Sequence, residues 1–294
     1  MSGSVADDRR TGFLLLLVTA LVWGVNWPVT KLVVDQMPPF LARGVAGLGG
    51  ATLAFAAARA SGERLGVPAG QRRRLVLLAA LNVTGWIGLS TAALLWLRAS
   101  EAAIFAYTMP IWSTLLAWPV LGERPGGARL GGLALGLSGI GVLVGGQPLA
   151  ASRDALPGIL CVLGAAVSWA LGSVLSKCSP LALPPVAGSA WQVLAGTVPL
   201  LAAGLLLEPP DLSRVTPVGW AALAYNSAFS LGLAYTTWFG ALRRLPATTA
   251  AVGTLLIPVF GVLSAALLLG EPLGPRQLGA LALTLAGVAL ATRG

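Results

Sequence analysis

A series of apolar runs, each long enough to cross a lipid bilayer as a helix, constrains this chain more than any other feature. A transmembrane helix needs about 20 consecutive, predominantly apolar residues. The runs are separated by short segments with Pro, Gly and charged residues, such as "GERPGG" and "EPPDLSRVTP". Charged residues make up 10% of the chain, whereas soluble domains carry about 25%. The sequence therefore predicts an all-α membrane protein, because so few charges cannot cover a water-facing surface.

Ten spans are predicted, and they fall into two groups of five. Within residues 1–147, the spans lie at about 12–34, 39–59, 75–97, 101–121 and 127–146. Within residues 148–294, they lie at about 157–177, 186–207, 217–242, 248–270 and 275–292. The segments between them carry turn-forming residues, which is typical of short loops between helices.

The distribution of basic residues predicts the orientation in the membrane, because Lys and Arg accumulate in cytoplasmic loops. With the N-terminus in the cytoplasm, thirteen of the 19 Lys and Arg residues fall on the inner side. An even number of spans then places both termini in the cytoplasm. The basic residues assigned to the outer side are Lys31, Arg43, Arg98, Arg153, Arg214 and Arg276.

The two halves of the chain repeat each other at an offset of about 146 residues. Trp23 and Lys31 are eight residues apart, and so are Trp169 and Lys177. A similar offset relates Asn82 to Asn226, Arg98 to Arg244, and Pro110 to Pro258. Because five is an odd number of spans, the second half must enter the membrane from the opposite side. The sequence thus predicts two five-helix inverted-topology repeats, with a substrate site near the midplane between them.

Four stretches connect the chain to a known family. They are "LVWGVNWPVTK" and "ASEAAIFAYTMPIWSTLLAWPVLGERP", with the counterparts "SWALGSVLSK" and "PATTAAVGTLLIPVFGVLSAALLLGEPLG". The chain resembles the EamA-type exporters of the drug/metabolite transporter superfamily over essentially its whole length. The most specific part is a mid-span proline followed by Leu-Gly-Glu-x-Pro or Leu-Gly-Glu-Pro in both halves. The resemblance implies a metabolite exporter of the bacterial inner membrane, and amino-acid exporters are prominent in the family.

Polar and aromatic residues inside the spans predict a substrate cavity. Pro28 cannot donate a hydrogen bond to the carbonyl of Gly24, and the freed carbonyl needs a neighbouring helix or a wet cavity. Asn26 adds an amide beside it. The predicted substrate-binding residues are Trp23, Asn26, Asn82, Trp86, Tyr107, Trp112, Trp169, Ser173, Tyr225 and Asn226, and helix breaks are predicted at Pro28, Pro110 and Pro258.

Packing is the alternative for each of these residues. Asn26 and Pro28 can also form a packing kink, and any one mid-span aromatic can serve as core filling. Tryptophans near span ends are typical of interfacial anchors, and this role is assigned to Trp96, Trp118, Trp220 and Trp238.

The predicted cavity carries no fixed charge. The chain has no histidine, and its Asp and Glu residues fall at predicted span ends. Proton-driven carriers often use a buried carboxylate or histidine, so facilitation or exchange is favoured over proton coupling. Amides and hydroxyls suit a zwitterion, and aromatic rings suit an apolar side chain.

The favoured function is therefore export of neutral or aromatic amino acids by alternating access. Export of lipophilic cations is the runner-up, although such carriers usually keep a mid-membrane acid. A membrane enzyme is disfavoured because no nucleophile–base pair, metal set or paired carboxylates are visible, and a static channel does not need an inverted duplication. We expect a small-molecule substrate and a lipid bilayer as partners, with no cofactor, metal or nucleic acid. Glycine pairs in the fifth span predict packing within one chain and hence a monomer.

Overall fold

The computed structural model describes residues 2–93, 95–97, 102, 105–144, 155–209, 211–269 and 273–293, and within these ranges the regular structure is helical, without a strand. The helices, in chain order, are α1 (Ser2–Val34), α2 (Pro39–Ala60), α3 (Arg72–Ala79, Ala80–Gly88 and Leu89–Ala93), α4 (Met109–Leu121), α5 (Gly127–Val144), α6 (Leu156–Cys178), α7 (Pro185–Leu207), α8 (Pro217–Tyr225, Asn226–Leu233 and Ala234–Arg244), α9 (Ala247–Gly253 and Leu256–Leu269) and α10 (Pro275–Arg293). The prediction of an all-α protein is confirmed for the described residues.

Several helices have the length and apolar composition of membrane spans. In the described part of the chain, the five that satisfy both requirements are Pro39–Ala60, Ala69–Ala93, Leu156–Cys178, Pro185–Leu207 and Ala247–Ser264. Shorter apolar helices are Met109–Leu121, Gly127–Val142 and Pro275–Ala291. Large apolar side chains such as Leu206 and Leu267 are more than 80% exposed, as suits a surface that faces lipid.

The helices pack in pairs that correspond to one another when α1–α5 are exchanged with α6–α10. Helix α1 packs on α8 and α9, and α6 packs on α3 and α4. In the same way, α2 packs on α8 and α7 packs on α3. The α2–α7 and α5–α10 pairs each join a helix to its own counterpart. Helices from the two halves are therefore interleaved.

Helices α2 and α7 approach closely at glycines and run antiparallel. A Cβ atom on Gly44 would collide with the backbone of Leu201, and one on Gly204 would collide with the backbone of Leu41. Small residues allow such close approach in membranes, where van der Waals packing holds helices together. The residue number rises along α2 as it falls along α7, so the two helices run in opposite directions.

The N-terminus of each of these two helices is capped by a glutamate that comes just after the C-terminus of the other helix. Glu63, just after α2, accepts hydrogen bonds from the N–H groups of Val186 and Ala187 in the first turn of α7, at 3.4 and 2.8 Å. Glu208, just after α7, accepts from two first-turn N–H groups of α2 at 3.0 and 2.9 Å. A carboxylate there satisfies unpaired donors and complements the helix dipole. We call these two arrangements the cross-caps.

The same device joins α4 to α9. Glu123, just after α4, accepts hydrogen bonds from the N–H groups of Ala247 and Thr248 in the first turn of α9, at 3.0 and 3.1 Å. Its repeat counterpart, Glu271, lies outside the described residues. This contact gives a structural explanation for the glutamate of the first "LGE" sequence, Glu123.

Helices α3 and α8 each contain a π-helical segment that the sequence pattern did not predict. The segments are Ala80–Gly88 and Asn226–Leu233, and Asn82 and Asn226 lie at their beginnings. A π-helix has i→i+5 hydrogen bonds, and such segments are frequent at functional sites. The wider turn rotates the following side chains relative to a continuous α-helix.

Two of the predicted helix breaks coincide with helix starts. Pro110 lies in the first turn of α4, after a turn at residues 107–108. Pro258 lies in the first turn of the second segment of α9, after a turn at residues 254–255. In the first turn, proline lacks only an N–H that would be unpaired anyway. The third predicted break, Pro28, falls within α1, and its side chain lies outside the described residues.

Some glycines of α5 pack closely against other helices of the chain. A Cβ atom on Gly132 would collide with the backbone of α10 at Gly287, and the reverse is also true. Gly136 contacts Leu255, in the turn between the two segments of α9. Gly141 has open space beside it. The prediction that these small residues serve contacts within one chain is confirmed for Gly132 and Gly136.

Candidate substrate site

Five aromatic rings form a cluster where α1, α3, α6 and α8 meet. Trp23 and Trp169, which correspond in the repeat, have ring centroids 5.4 Å apart and planes 73° apart. Tyr235 lies 5.5 Å from Trp23, and Trp238 lies 5.3 Å from Trp169. Trp86 completes the cluster at 5.7 Å from Trp169. Edge-to-face and tilted contacts at these distances are favourable, so the cluster is a packed unit, which we call the aromatic cluster.

The burial of the aromatic cluster corrects one prediction. Trp238 is 1% exposed, so its assignment as an interfacial anchor is wrong. The assignment used its position near a span end, but its face of α8 packs on Trp169 of α6. The other three tryptophans assigned to the interface, Trp96, Trp118 and Trp220, are 45%, 53% and 48% exposed.

Asn82 organises a neutral polar cluster beside these rings. Its Nδ2 donates hydrogen bonds to Ser176 Oγ of α6 at 3.1 Å and to Gln192 Oε1 of α7 at 3.0 Å. The Tyr235 hydroxyl donates to the Asn82 backbone carbonyl at 3.1 Å. Because Asn82 is completely buried, these partners fix its position. We call Asn82, Ser176 and Gln192 the Asn82 cluster.

Asn226 organises a second polar cluster on α1, α2 and α8. Its Oδ1 accepts hydrogen bonds from Thr30 Oγ1 at 3.3 Å and from Arg43 Nη1 at 3.4 Å. Asn26 Nδ2 donates to Thr30 Oγ1 at 3.0 Å. We call Asn26, Thr30, Arg43 and Asn226 the Asn226 cluster. It contains a positive charge, whereas the sequence pattern predicted a site without fixed charge.

Several buried polar atoms near these groups lack a hydrogen-bond partner in the described structure. They are Asn26 Oδ1, Arg43 Nε, Asn82 Oδ1, Ser173 Oγ and Trp238 Nε1. An unsatisfied buried donor or acceptor costs about 1–3 kcal/mol. Such atoms come from both polar clusters and from the aromatic cluster, so this region offers both donors and acceptors to a polar molecule.

A cavity of about 260 Å³ leads to the Asn82 cluster from one end of the bundle. Its lining residues are Leu78, Ser176, Lys177, Pro180, Leu181, Pro185, Gly188, Ser189, Gln192, Phe239, Leu242 and Arg243. Lys177 Nζ donates hydrogen bonds to the carbonyls of Leu242 and Leu245 at 3.1 and 2.5 Å. Lys177 and Arg243 make the mouth of the cavity basic. Ser176 and Gln192 of the Asn82 cluster line its interior.

The remaining predicted site residues lie in different places. Tyr107 is buried in an apolar cluster with residues of α5, α9 and α10. Trp112 packs on the main core and donates its indole N–H to Thr108 Oγ1 at 3.1 Å. Tyr225 donates to the carbonyl of Val22 at 3.3 Å and stacks on a neighbouring phenylalanine. Trp23 of the aromatic cluster also packs against the apolar cluster that contains Tyr107.

Four residues of the polar clusters were missed as site residues by sequence reasoning. They are Thr30, Arg43, Ser176 and Gln192. Arg43 was counted only as an outer-side charge, although it lies one turn inside α2. Ser176 precedes Lys177 as Thr30 precedes Lys31, so the repeat itself contained a usable signal for this pair. Gln192 offered the simple signal of an amide in a span.

The fold and the site define a helical membrane protein with several spans and a polar, aromatic interior. The sequence profile of the EamA-like transporter family matches residues 10–145 and 156–293. The chain belongs to this family, which belongs to the drug/metabolite transporter superfamily, and the resemblance noted from the sequence is confirmed. The protein is accordingly a membrane transporter.

Curated relatives agree with this assignment, and a solved structure shares the fold. A Salmonella typhimurium protein named "Probable amino-acid metabolite efflux pump" is 32% identical, with 96% of this chain and 94% of the relative aligned. The Escherichia coli protein of the same name is 31% identical over 93% and 92% of the two chains. "Uncharacterized transporter YvbV" of Bacillus subtilis is 30% identical over 94% and 90%. A solved crystal structure has the same fold, with a TM-score of 0.87 over 97% of each chain at 24% identity.

Proposed function

We propose that this protein is a secondary exporter of small metabolites, with neutral and aromatic amino acids as its favoured substrates. The observation that carries the proposal is the meeting of Trp23 and Trp169 within a buried group of rings, flanked by unpaired amide and hydroxyl atoms. Rings contact an apolar side chain, and amides and hydroxyls bind an ammonium and a carboxylate. The names of the Salmonella typhimurium and Escherichia coli relatives support the same substrate class.

The proposed architecture is ten spans in two inverted repeats, residues 1–147 and 148–294. The antiparallel course of α2 and α7, which correspond in the repeat, supports the inversion. The paired packing of α1 on α8 and α6 on α3 supports it as well. Both termini would then lie in the cytoplasm, and the protein would reside in the bacterial inner membrane as a monomer.

Transport by alternating access follows from this architecture. The cavity reaches the Asn82 cluster from the end that the basic-residue distribution assigns to the cytoplasm, while the aromatic cluster separates it from the Asn226 cluster. Rearrangement of the interleaved halves would close this entrance and open the opposite one. In the described helices, no Asp or Glu lies among the groups of the site, which favours facilitation or exchange over a carboxylate proton relay.

Export of lipophilic cations fits the structure less well. Aromatic faces attract cations, but Arg43 adds positive charge to the Asn226 cluster and would repel them. Basic groups also line the mouth of the cavity. The described site therefore favours a zwitterion or an anion over a cation.

Flux into and out of proteoliposomes tests the proposal. Purified protein should catalyse saturable counterflow of L-tryptophan, L-phenylalanine or another neutral amino acid, above protein-free vesicles. Trp86→Ala should reduce this flux by roughly tenfold, because one good aromatic contact and its packing are worth about 1.4 kcal/mol. Trp220→Ala, which removes a 48% exposed ring at the surface, is the matched control and should leave the flux unchanged.

The possible outcomes separate the substrate from the mechanism. Saturable flux of another metabolite class, without any amino-acid flux, would end the amino-acid proposal while retaining a carrier. If Trp86→Ala and Trp220→Ala lose flux equally, the loss is not specific to the aromatic cluster, and the proposed role of this cluster in transport is contradicted.

A further inference from the structure

Arg43 is a charged side chain inside the helix bundle that has no acidic partner among the described residues. Its Nη1 makes long hydrogen bonds to Asn226 Oδ1 and Thr30 Oγ1, at 3.4 and 3.5 Å. Its Nε atom is buried and unpaired. Well-formed N–H···O bonds are 2.7–3.2 Å long, so neutral neighbours hold this guanidinium only loosely.

Arg43 is a half-buried residue, and a positive charge inside the helix bundle without a counter-ion is unfavourable in a membrane protein. Charged groups inside membranes are rare, face the bundle interior or a water-filled cavity, and usually mark a substrate or ion pathway. The planar guanidinium matches a carboxylate with two parallel N–H···O bonds. A carboxylate arriving with the substrate would supply the missing negative charge and use the unpaired Nε atom.

The neighbouring groups match the other parts of an amino acid. Asn26 Oδ1 is an unpaired buried acceptor in the same cluster, and it suits an ammonium group. Trp23, Asn26 and Thr30 are spaced three and four residues apart, so they share one face of α1. The Asn226 cluster therefore presents a cation and an acceptor, and the ring of Trp23 lies on the same face of α1.

We propose that Arg43 binds the carboxylate of the transported substrate, with Asn226 and Thr30 positioning the guanidinium. The inference rests on the proposed transport function and narrows it to substrates that carry a carboxylate. Amines without a carboxylate are excluded as good substrates, and the ring of an aromatic amino acid contacts the side of the aromatic cluster formed by Trp23.

Three indole ligands test the inference, since they differ only in their charged groups. L-Tryptophan carries both charges, 3-indolepropionate carries only the carboxylate, and tryptamine carries only the ammonium. Binding is measured on the full chain in detergent by calorimetry. Wild-type protein should bind L-tryptophan and 3-indolepropionate roughly 10- to 100-fold more tightly than tryptamine, as expected for hydrogen bonds to a charged group.

Arg43→Gln should abolish this preference by weakening the binding of both carboxylates and sparing tryptamine. Arg43→Lys should restore part of it, because the charge remains but the two-pronged geometry is lost. Arg129→Gln is the matched control. Arg129 is a half-buried arginine on α5, and its Nη1 donates to Thr248 at 3.3 Å, so its loss should keep the carboxylate preference.

A second variant keeps the arginine and protects the test against misfolding. Asn226→Asp places a carboxylate beside Arg43 and should compete with the ligand, again reducing carboxylate binding roughly 10-fold or more. The inference is overturned if wild-type protein binds tryptamine as tightly as 3-indolepropionate, or if Arg43→Gln or Asn226→Asp keeps the wild-type preference.

The proposed function fails in a different way. If 3-indolepropionate and other aromatic carboxylates bind and are transported but amino acids are not, the carboxylate site at Arg43 is supported and the proposal of amino-acid export is contradicted. If Arg43→Gln transports amino acids as well as the wild-type protein does, amino-acid export is supported and the carboxylate site at Arg43 is contradicted.

Discussion

Asn82 and Asn226 occupy corresponding positions in the two halves of the molecule, but their partners differ in charge. Both are almost fully buried and both lie at the start of a π-helical segment. Asn82 bonds to a serine and a glutamine, whereas Asn226 bonds to a threonine and Arg43. The comparison teaches that the repeat preserved the amide and its backbone setting, while the neighbouring helix changed the electrostatics. The candidate site is therefore neutral and polar at one end and cationic at the other.

The largest expected effect comes from a negative charge at the neutral end. Asn82→Asp should destabilise the protein by about 3–5 kcal/mol, because a buried carboxylate would have no cation beside it. A large fall in the apparent Tm in detergent, followed by tryptophan fluorescence, checks this. An unchanged Tm would mean that the Asn82 cluster is more open to water than the structure indicates.

The same substitution at the cationic end, Asn226→Asp, should stabilise the protein. Asn226→Asp would face Arg43 Nη1, now 3.4 Å from Asn226 Oδ1, and a hydrogen bond to a charged group is worth about 1.5–3 kcal/mol. The apparent Tm of ligand-free protein should rise under the same conditions. If both aspartate variants lose stability equally, the charge difference between the two ends does not exist in solution.

The smallest effect is expected where the two halves agree, at the cross-caps. Glu63→Gln and Glu208→Gln each remove one charge from a helix N-terminus, and each should cost about 0.5–1 kcal/mol. The two values should be similar, because both glutamates bind two N–H groups of a partner helix. Denaturant or thermal unfolding measures them, with Asp211→Asn in the exposed loop before α8 as control. A large difference between the two would show that the cross-caps are not equivalent.

The sequence was sufficient to predict the helical membrane fold, and the two asparagines that it singled out are buried in the structure. Apolar runs and a repeated order of Asn, Pro and Trp are encoded locally, so they can be read along the chain. The partners of Asn82 and Asn226 come from other helices, and their identity depends on how the helices pack. For this reason Gln192 and Thr30 became visible only in the fold.

Arg43 and Trp238 show why position along a span is an incomplete guide. Both lie near span ends, and both were given the usual roles of residues near the membrane surface. The depth and direction of a side chain depend on the neighbouring helices and on the helical register. In α8, the π-helical segment precedes Trp238 and changes that register, and no simple periodicity signals such a segment.

Carboxylates bind both ends of the α2–α7 pair, and glycines bring the two backbones into contact near the N-terminal end of α2. Sliding one helix past the other by a single residue would move it 1.5 Å, enough to strain the hydrogen bonds of both glutamates together. Sliding of α2 along α7 is therefore suppressed. Any rearrangement that binds or releases substrate must move these two helices together as one rigid unit.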